Sequence, residues 1–169
     1  MFQEIGMAEL EGKIKVFSMY KDGWSLITAG DEKKINTMTA SWGGLGVLWN
    51  LNVATVYVRP SRYTLSFIDR QDSFTVSFYG QNYRKELGVL GSKSGRDCDK
   101  IKEVGFTPVF LDNAPAFSQA ELVLVCKKLY RQQMDLGLMS DPEFGKKNYP
   151  AGDVHILFIG EIQKAFIKK

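Results

Sequence analysis

From Tyr57 to Thr64 the chain reads Tyr-Val-Arg-Pro-Ser-Arg-Tyr-Thr, a strand that leaves through a proline turn and enters a helix start. The first amides of a helix lack internal partners and point at whatever lies ahead of them, which favours an anion such as a phosphate. Arg59 and Arg62 supply positive charge there, and Ser61, Tyr63 and Thr64 supply hydroxyls. An ordinary helix capped by Ser61, with solvated arginines, uses the same residue types, so both readings stand on these residues alone.

The segment Asn36-Thr37-Met38-Thr39-Ala40-Ser41-Trp42-Gly43-Gly44-Leu45-Gly46 sets small and hydroxyl side chains along an expected strand and glycines at its exit. Small side chains let a planar ligand approach the backbone, whose amides can meet ring oxygens and nitrogens. The alternative is a strand leaving a barrel by a flexible loop. It is no G-x-G-x-x-G fingerprint, because no strand-helix-strand unit surrounds it. Gly91-Ser92-Lys93-Ser94-Gly95-Arg96 lacks the G-x-x-x-x-G-K-[ST] spacing of a nucleotide-hydrolase loop. It reads as a flexible polar loop, or as one that folds over a ligand.

His155 is the only histidine, so one chain cannot build a multi-histidine metal site, and no acidic cluster has ligand spacing. No G-x-S-x-G is present to serve a Ser-His-Asp triad. Next to Asp153, His155 reads as structural; lining a cleft, it could donate a hydrogen bond or titrate near neutral pH.

The elements that must position these groups are mostly strands. Runs rich in β-branched and aromatic residues lie at Trp24 to Thr28, Thr37 to Trp42, Ala54 to Val58, Phe74 to Tyr79, Ala120 to Leu129 and Val154 to Ile162. Helical spacing appears at Ser61 to Arg70, where Tyr63, Phe67 and Ile68 share a face, at Tyr83 to Leu90, and at Asp97 to Val104. Gly105 is a natural stop for the last of these. Leu136 to Gly152, broken by Gly137, Pro142, Gly145, Pro150 and Gly152, reads as a long connection. Many strands with few short helices predict a mainly β barrel or sandwich with helical decoration, and the lack of strand-helix alternation argues against a doubly wound sheet.

With 169 residues, 44% hydrophobic and 24% charged, the chain fits one globular domain spanning 1–169. The formal charge of +3 with no basic stripe argues against a nucleic-acid partner, although it favours an anionic ligand. Cys98 and Cys126 form no C-x-x-C, which suits a reducing compartment. The acidic start, with Glu4, Glu9 and Glu11, is not that of a signal peptide, and no run approaches a spanning helix. The expectation is a cytoplasmic protein without a membrane partner.

Taken in order, four blocks resemble the flavin reductase-like, FMN-binding split-barrel family, in particular its flavoredoxin-like branch. They are Asn36 to Gly43, Tyr57 to Thr64, Phe74-Thr75-Val76-Ser77-Phe78, and Tyr149-Pro150-Ala151-Gly152-Asp153-Val154-His155 running into Phe158-Ile159-Gly160-Glu161-Ile162. Ser94-Gly95-Arg96-Asp97 with Asp99-Lys100 resembles the family's loop-to-helix block. The resemblance implies a split β-barrel homodimer holding FMN non-covalently near the subunit interface. Thr39, Ala40, Ser41 and Trp42 would line the isoalloxazine and ribityl portions, and Arg59, Tyr63 and Thr64 the phosphate. Ser77, Phe78 and Lys85 would form a further wall, Ser94 would close over the flavin, and His155 would stand on the nicotinamide side as the candidate catalytic residue. Asn52 stands where many members carry proline, so the loop from Trp49 to Val53 is expected to differ.

Two functions are compatible with the resemblance: an NAD(P)H-dependent flavin oxidoreductase passing hydride from nicotinamide to flavin N5, and a flavoredoxin-like electron-transfer protein serving a redox protein partner. A split barrel that binds flavin weakly or not at all is the third. No protein nucleophile is needed for hydride transfer between bound cofactors, in keeping with the missing triad.

Overall fold

A computed structural model describes residues 1–169. The chain opens with β1 (Phe2–Ile5), α1 (Met7–Glu11) and α2 (Val16–Ser18), which runs into a π-helical turn at Met19–Gly23. Strands β2 (Ser25–Gly30), β3 (Ile35–Ala40), β4 (Gly43–Leu48) and β5 (Leu51–Val58) follow, then α3 (Leu65–Arg70) and β6 (Ser73–Phe78). A 3-10 turn leads into α4 (Arg84–Ser92), then α5 (Lys100–Glu103) and the hairpin β7 (Pro108–Leu111) with β8 (Ala114–Phe117). The chain ends with β9 (Leu122–Gln133), α6 (Pro142–Asn148) and β10 (Ile156–Lys168).

The main sheet runs in the order β3-β2-β6-β9-β10-β5-β4, with β1 also paired to β10. Its pairings are antiparallel throughout. Its two ends, β3 and β4, are consecutive in the chain, and only Ser41 and Trp42 separate them. So short a connection spans on the order of 10 Å, so the two edges must lie close at this point and the sheet must curl on itself. β10 makes the curl possible. It pairs with β5 along its first half and with β1 along its second, and its register against β9 shifts at Ile159/Gly160 and at Ile162/Lys164, where bulges bend the strand.

One core fills the barrel, built around Ile27, Phe74, Val76, Val56, Phe158 and Ile68. A second lies on the outer face of β2, β6 and β9, where Leu87 and Leu90 of α4, Phe117 of the β7–β8 hairpin and Phe106 pack over Leu26 and Val123. β2 is therefore buried along its whole length. Strands covered on both faces read as continuous apolar runs, which explains why they were legible as strands but not by alternation.

Three expectations need correction. Gly43 to Gly46 is no flexible exit loop but the first part of strand β4, paired with β5. Ser61 does not cap a helix: α3 starts at Leu65 after Thr64, and the Ser61 hydroxyl lies 2.7 Å from Asp153 Oδ2. The connection after β9 carries the helix α6, started by Pro142 and capped by Asp141, which accepts from the Glu143 amide. No helix is long and apolar enough to cross a membrane.

Candidate functional site

Two clefts meet near the link between the sheet edges. One cleft, of about 260 Å³, is lined by Asn36, Met38, Arg59, Ser61, Arg62, Tyr63, Thr64, Lys100 and the loop of residues 92–95. A second, of about 200 Å³, is lined by Met38, Thr39, Ala40, Ser41, Trp42, Tyr57, Arg59, Arg62 and His155. Met38, Arg59 and Arg62 border both, so the two form one groove, basic at one end and floored by the end of β3 at the other.

The basic end is built by convergence. Arg59 follows the last residue of β5 and donates to the carbonyls of Asn148 and Asp153, each at 3.2 Å, with its guanidinium 5.2 Å from the centre of the Tyr149 ring. Arg62 donates to the Gly91 carbonyl at the end of α4, at 2.7 Å. Lys100, buried at the start of α5, donates to the carbonyls of Leu90 and Lys93 at 2.6 and 3.0 Å. Burial, with Arg62 adding repulsion, pulls the Lys100 ammonium down to about 8. Asn36 Nδ2 donates to Thr64 Oγ1 at 2.8 Å, and a Cβ on Gly95 would strike Asn36 Oδ1, so only glycine lets the loop close on this strand.

Arg59, Arg62, Arg96 and Lys100 form no ion pair with any carboxylate. Cations that converge without a counter-ion, beside the Tyr63 and Thr64 amides that donate to no backbone carbonyl, suit a doubly charged oxyanion. The helix α3 contributes less than the turn that precedes it, since it begins beyond Thr64.

At the other end, Thr39 Oγ1 donates to the Leu87 carbonyl at 2.6 Å, which fixes β3 against α4. Ala40 is buried, Ser41 is half-buried and Trp42 is exposed, its ring centre 5.1 Å from that of His155. His155 Nδ1 lies 2.9 Å from the Tyr149 hydroxyl, which leaves Nε2 as its uncommitted nitrogen. Burial, followed by the charge of Arg59 and against the opposing pull of Asp153, lowers its pKa to about 4, so the imidazole is neutral near pH 7.

A histidine depressed from the ordinary 6.5 contributes stability that is fully present above pH 6.5 and lost as pH falls toward 4, because the unfolded chain takes up the proton first. The expected contribution is about 1–2 kcal/mol, below the full value of the shift because the ring borders an open cleft. Urea midpoints of wild type and His155→Gln should converge between pH 6.5 and 4. Parallel curves would show that the ring is not depressed.

The structure thus brings together Thr39, Ala40, Ser41, Trp42, Arg59, Tyr63, Thr64, Ser94 and His155. It does not bring Ser77, Phe78 or Lys85 to the groove. β6 is an interior strand with both faces covered: Phe78 packs edge-on against Tyr20 at 5.3 Å in the barrel core, and Ser77 pairs with Leu26 and Val123 beside the second core. Lys85 is exposed on α4, outside both clefts. Arg62, read with Arg59 as a charge of the phosphate turn, also lines the groove, and Asn36 and Lys100 are groove residues to which the sequence reading gave no role. Only the Asp99-Lys100 pair in the loop-to-helix block hinted at the last.

The family model of the flavin reductase like domain matches residues 17–169. This chain belongs to that family. Solved structures agree with the membership at the level of fold. A flavoredoxin from Methanosarcina acetivorans is 24% identical, with 87% of this chain and 69% of that chain covered at a TM-score of 0.68. An FMN-binding domain of a flavin reductases-like enzyme from Shewanella baltica OS155 is 18% identical, covering 99% and 77%, TM-score 0.70. An NADH:FAD oxidoreductase from Streptomyces globisporus C-1027 is 18% identical, covering 85% and 74%, TM-score 0.64. A comparison with curated proteins returned no match. The architecture of this flavin reductase-like chain is the split β-barrel, mainly β with short helices.

Proposed function

We propose that this protein binds FMN non-covalently, one per chain, and works as an NAD(P)H-dependent flavin oxidoreductase. One observation carries the reading: a basic cleft in which Arg59, Arg62 and Lys100 lack carboxylate partners runs into a cleft floored by the small residues of β3. That is the charge pattern of a phosphate joined to a planar ring. Family membership supports the same ligand class.

Arg59, Arg62 and Lys100 would hold the phosphate, with the hydroxyls of Tyr63, Thr64 and Ser94 and the free amides of Tyr63 and Thr64 around it. Thr39 to Trp42 would present backbone groups to the ring, and the Thr39 bond to α4 keeps that strand from shifting. Bound there, flavin supplies a hydride acceptor at N5 and a store for two electrons. His155, neutral and oriented by Tyr149, offers Nε2 as a single hydrogen-bonding group beside Trp42 and fixes orientation without adding charge. Adding NADH or NADPH anaerobically to the FMN-loaded protein should bleach the oxidised flavin spectrum. Bleaching by dithionite but by neither nucleotide would overturn the reductase reading and favour electron transfer with a protein partner. The exposed, unpaired Cys98 and buried, unpaired Cys126 fit a reducing, cytoplasmic setting.

The same reading includes a homodimer. The β4–β5 hairpin turns on Trp49 and Asn50, with φ of 51° and 60°, and Trp49 is 60% exposed beside Val47, which is 72% exposed. A bulky residue in the left-handed region costs about 1–2 kcal/mol, and one held there on an apolar tip suits a contact surface. Trp49→Gly should raise the stability of the monomer by about 1 kcal/mol and weaken association, read by light scattering across a dilution series. An unchanged dimer would place the interface elsewhere.

A further inference from the structure

On the far side of Trp42 lies a larger pocket, of about 880 Å³, whose walls come from the α2 region, from residues 41–45, and from the connection of residues 134–149. Ser41, Trp42 and Tyr57 are shared with the His155 cleft, so the pocket opens onto the ring end of the groove and not onto its basic end. Its wall is aromatic and soft, with Phe17, Tyr20, Phe144 and Tyr149 facing Met134 and Met139. Methionines among aromatic rings adapt to flat ligands of varied outline. The floor is fixed: a Cβ on Gly43 would strike the Tyr20 ring, so Gly43 and Tyr20 close the bottom together.

Polar groups are few: the Lys21 ammonium, the Asn148 amide and the hydroxyls of Ser41 and the tyrosines. Lys21, which has no ion-pair partner, is the only charged liner, and no acidic side chain contributes. The Ser41 and Tyr57 hydroxyls make no hydrogen bond within the protein and remain available. Burial raises the Tyr20 and Tyr149 phenols above their ordinary value, so they stay neutral.

We infer that this pocket binds a planar aromatic molecule bearing a carbonyl or carboxylate oxygen, as a second ligand beside the ring end of the groove. A pocket of this size, predominantly apolar with a few convergent polar groups, matches a small-molecule site. A dinucleotide fits it poorly, because a pyrophosphate would find one cation and no cluster of amides. The ligand's role as a partner of bound flavin rests on the proposed function. Its binding does not.

The test uses 2-acetylnaphthalene and 2-naphthoate as fluorescent probes, followed by anisotropy on the full-length protein, with FMN titrated separately into the same samples. Both probes should saturate at tens of micromolar. Phe144→Glu, at a side chain 58% exposed, should weaken both at least tenfold, because a carboxylate would enter the apolar wall. Phe110→Glu, on the β7–β8 hairpin and outside the pocket, should change neither. Lys21→Gln should weaken 2-naphthoate about threefold and leave 2-acetylnaphthalene unchanged, as expected for an exposed ion pair. FMN affinity should be the same in all four proteins. No saturable probe binding by wild type, equal losses in Phe144→Glu and Phe110→Glu, or probe binding that disappears as the protein associates would each overturn the inference, the last by making the groove an interface. Probe binding without FMN binding would leave the pocket standing and remove the flavin reading.

Discussion

FMN should bind Arg59→Ala about 10- to 100-fold more weakly than wild type, while riboflavin, which shares the ring but lacks the phosphate, should change little. The guanidinium borders both clefts and has no carboxylate partner, so an oxyanion there gains a charge-assisted contact of about 1.5–3 kcal/mol, and the fold-change follows from it. Arg59 also ties down the carbonyls of Asn148 and Asp153, so its removal loosens the connection after β9. Riboflavin separates the two effects, because loosening weakens both ligands and loss of the phosphate contact weakens one. Arg62→Ala is the companion variant, since Arg62 is bonded only to the Gly91 carbonyl and lies farther from that connection. Affinities should be compared once melting temperatures are known to agree. Equal losses for FMN and riboflavin, or no loss for either, would make Arg59 an anchor of the connection and move the phosphate elsewhere.

Gly160→Ala should cost about 1–3 kcal/mol of stability although it adds a single methyl group. Gly160 sits where β10 shifts register against β9, and a Cβ there would lie 2.8 Å from Phe74 Cζ and 2.9 Å from Cys126 Cβ. Both neighbours are fully buried, so neither can move aside without displacing the barrel core. Gly46→Ala on β4, where nothing lies within 4 Å of the added carbon, is the control and should be near neutral. Urea unfolding of both variants decides it: equal midpoints would mean that the bulge absorbs the methyl group and the barrel is less tightly packed than its contacts indicate.

Much of the basic end of the site could be read from the chain because its residues are neighbours in it. Arg59, Ser61, Arg62, Tyr63 and Thr64 fall within one turn, so residue type and spacing suffice to propose an anion there. The ring end was legible in the same way, as a short run of small residues on β3. Lys100 was harder to read, since a lysine after Asp99 looks like any helix start until folding brings it under Leu90 and Lys93. Ser77 and Phe78 fall outside both clefts for the opposite reason. A block that follows the family pattern does not reveal which faces of its strand are covered, and β6 has both faces buried.

The sequence by itself determined that the fold is mainly β, since periodicity, β-branched content and turn residues act locally. It also determined where an anion could bind, because that needs only a few adjacent donors. Which strands are edges was decided by the tertiary structure, because edge status depends on pairings between residues far apart in the chain, and Gly43 to Leu48 looked like a loop until β5 paired with it. The joining of two clefts at Met38, Arg59 and Arg62 was likewise a tertiary outcome. It exists only because the barrel closes across Ser41 and Trp42 and brings His155, from the far end of the chain, to within 5.1 Å of the Trp42 ring.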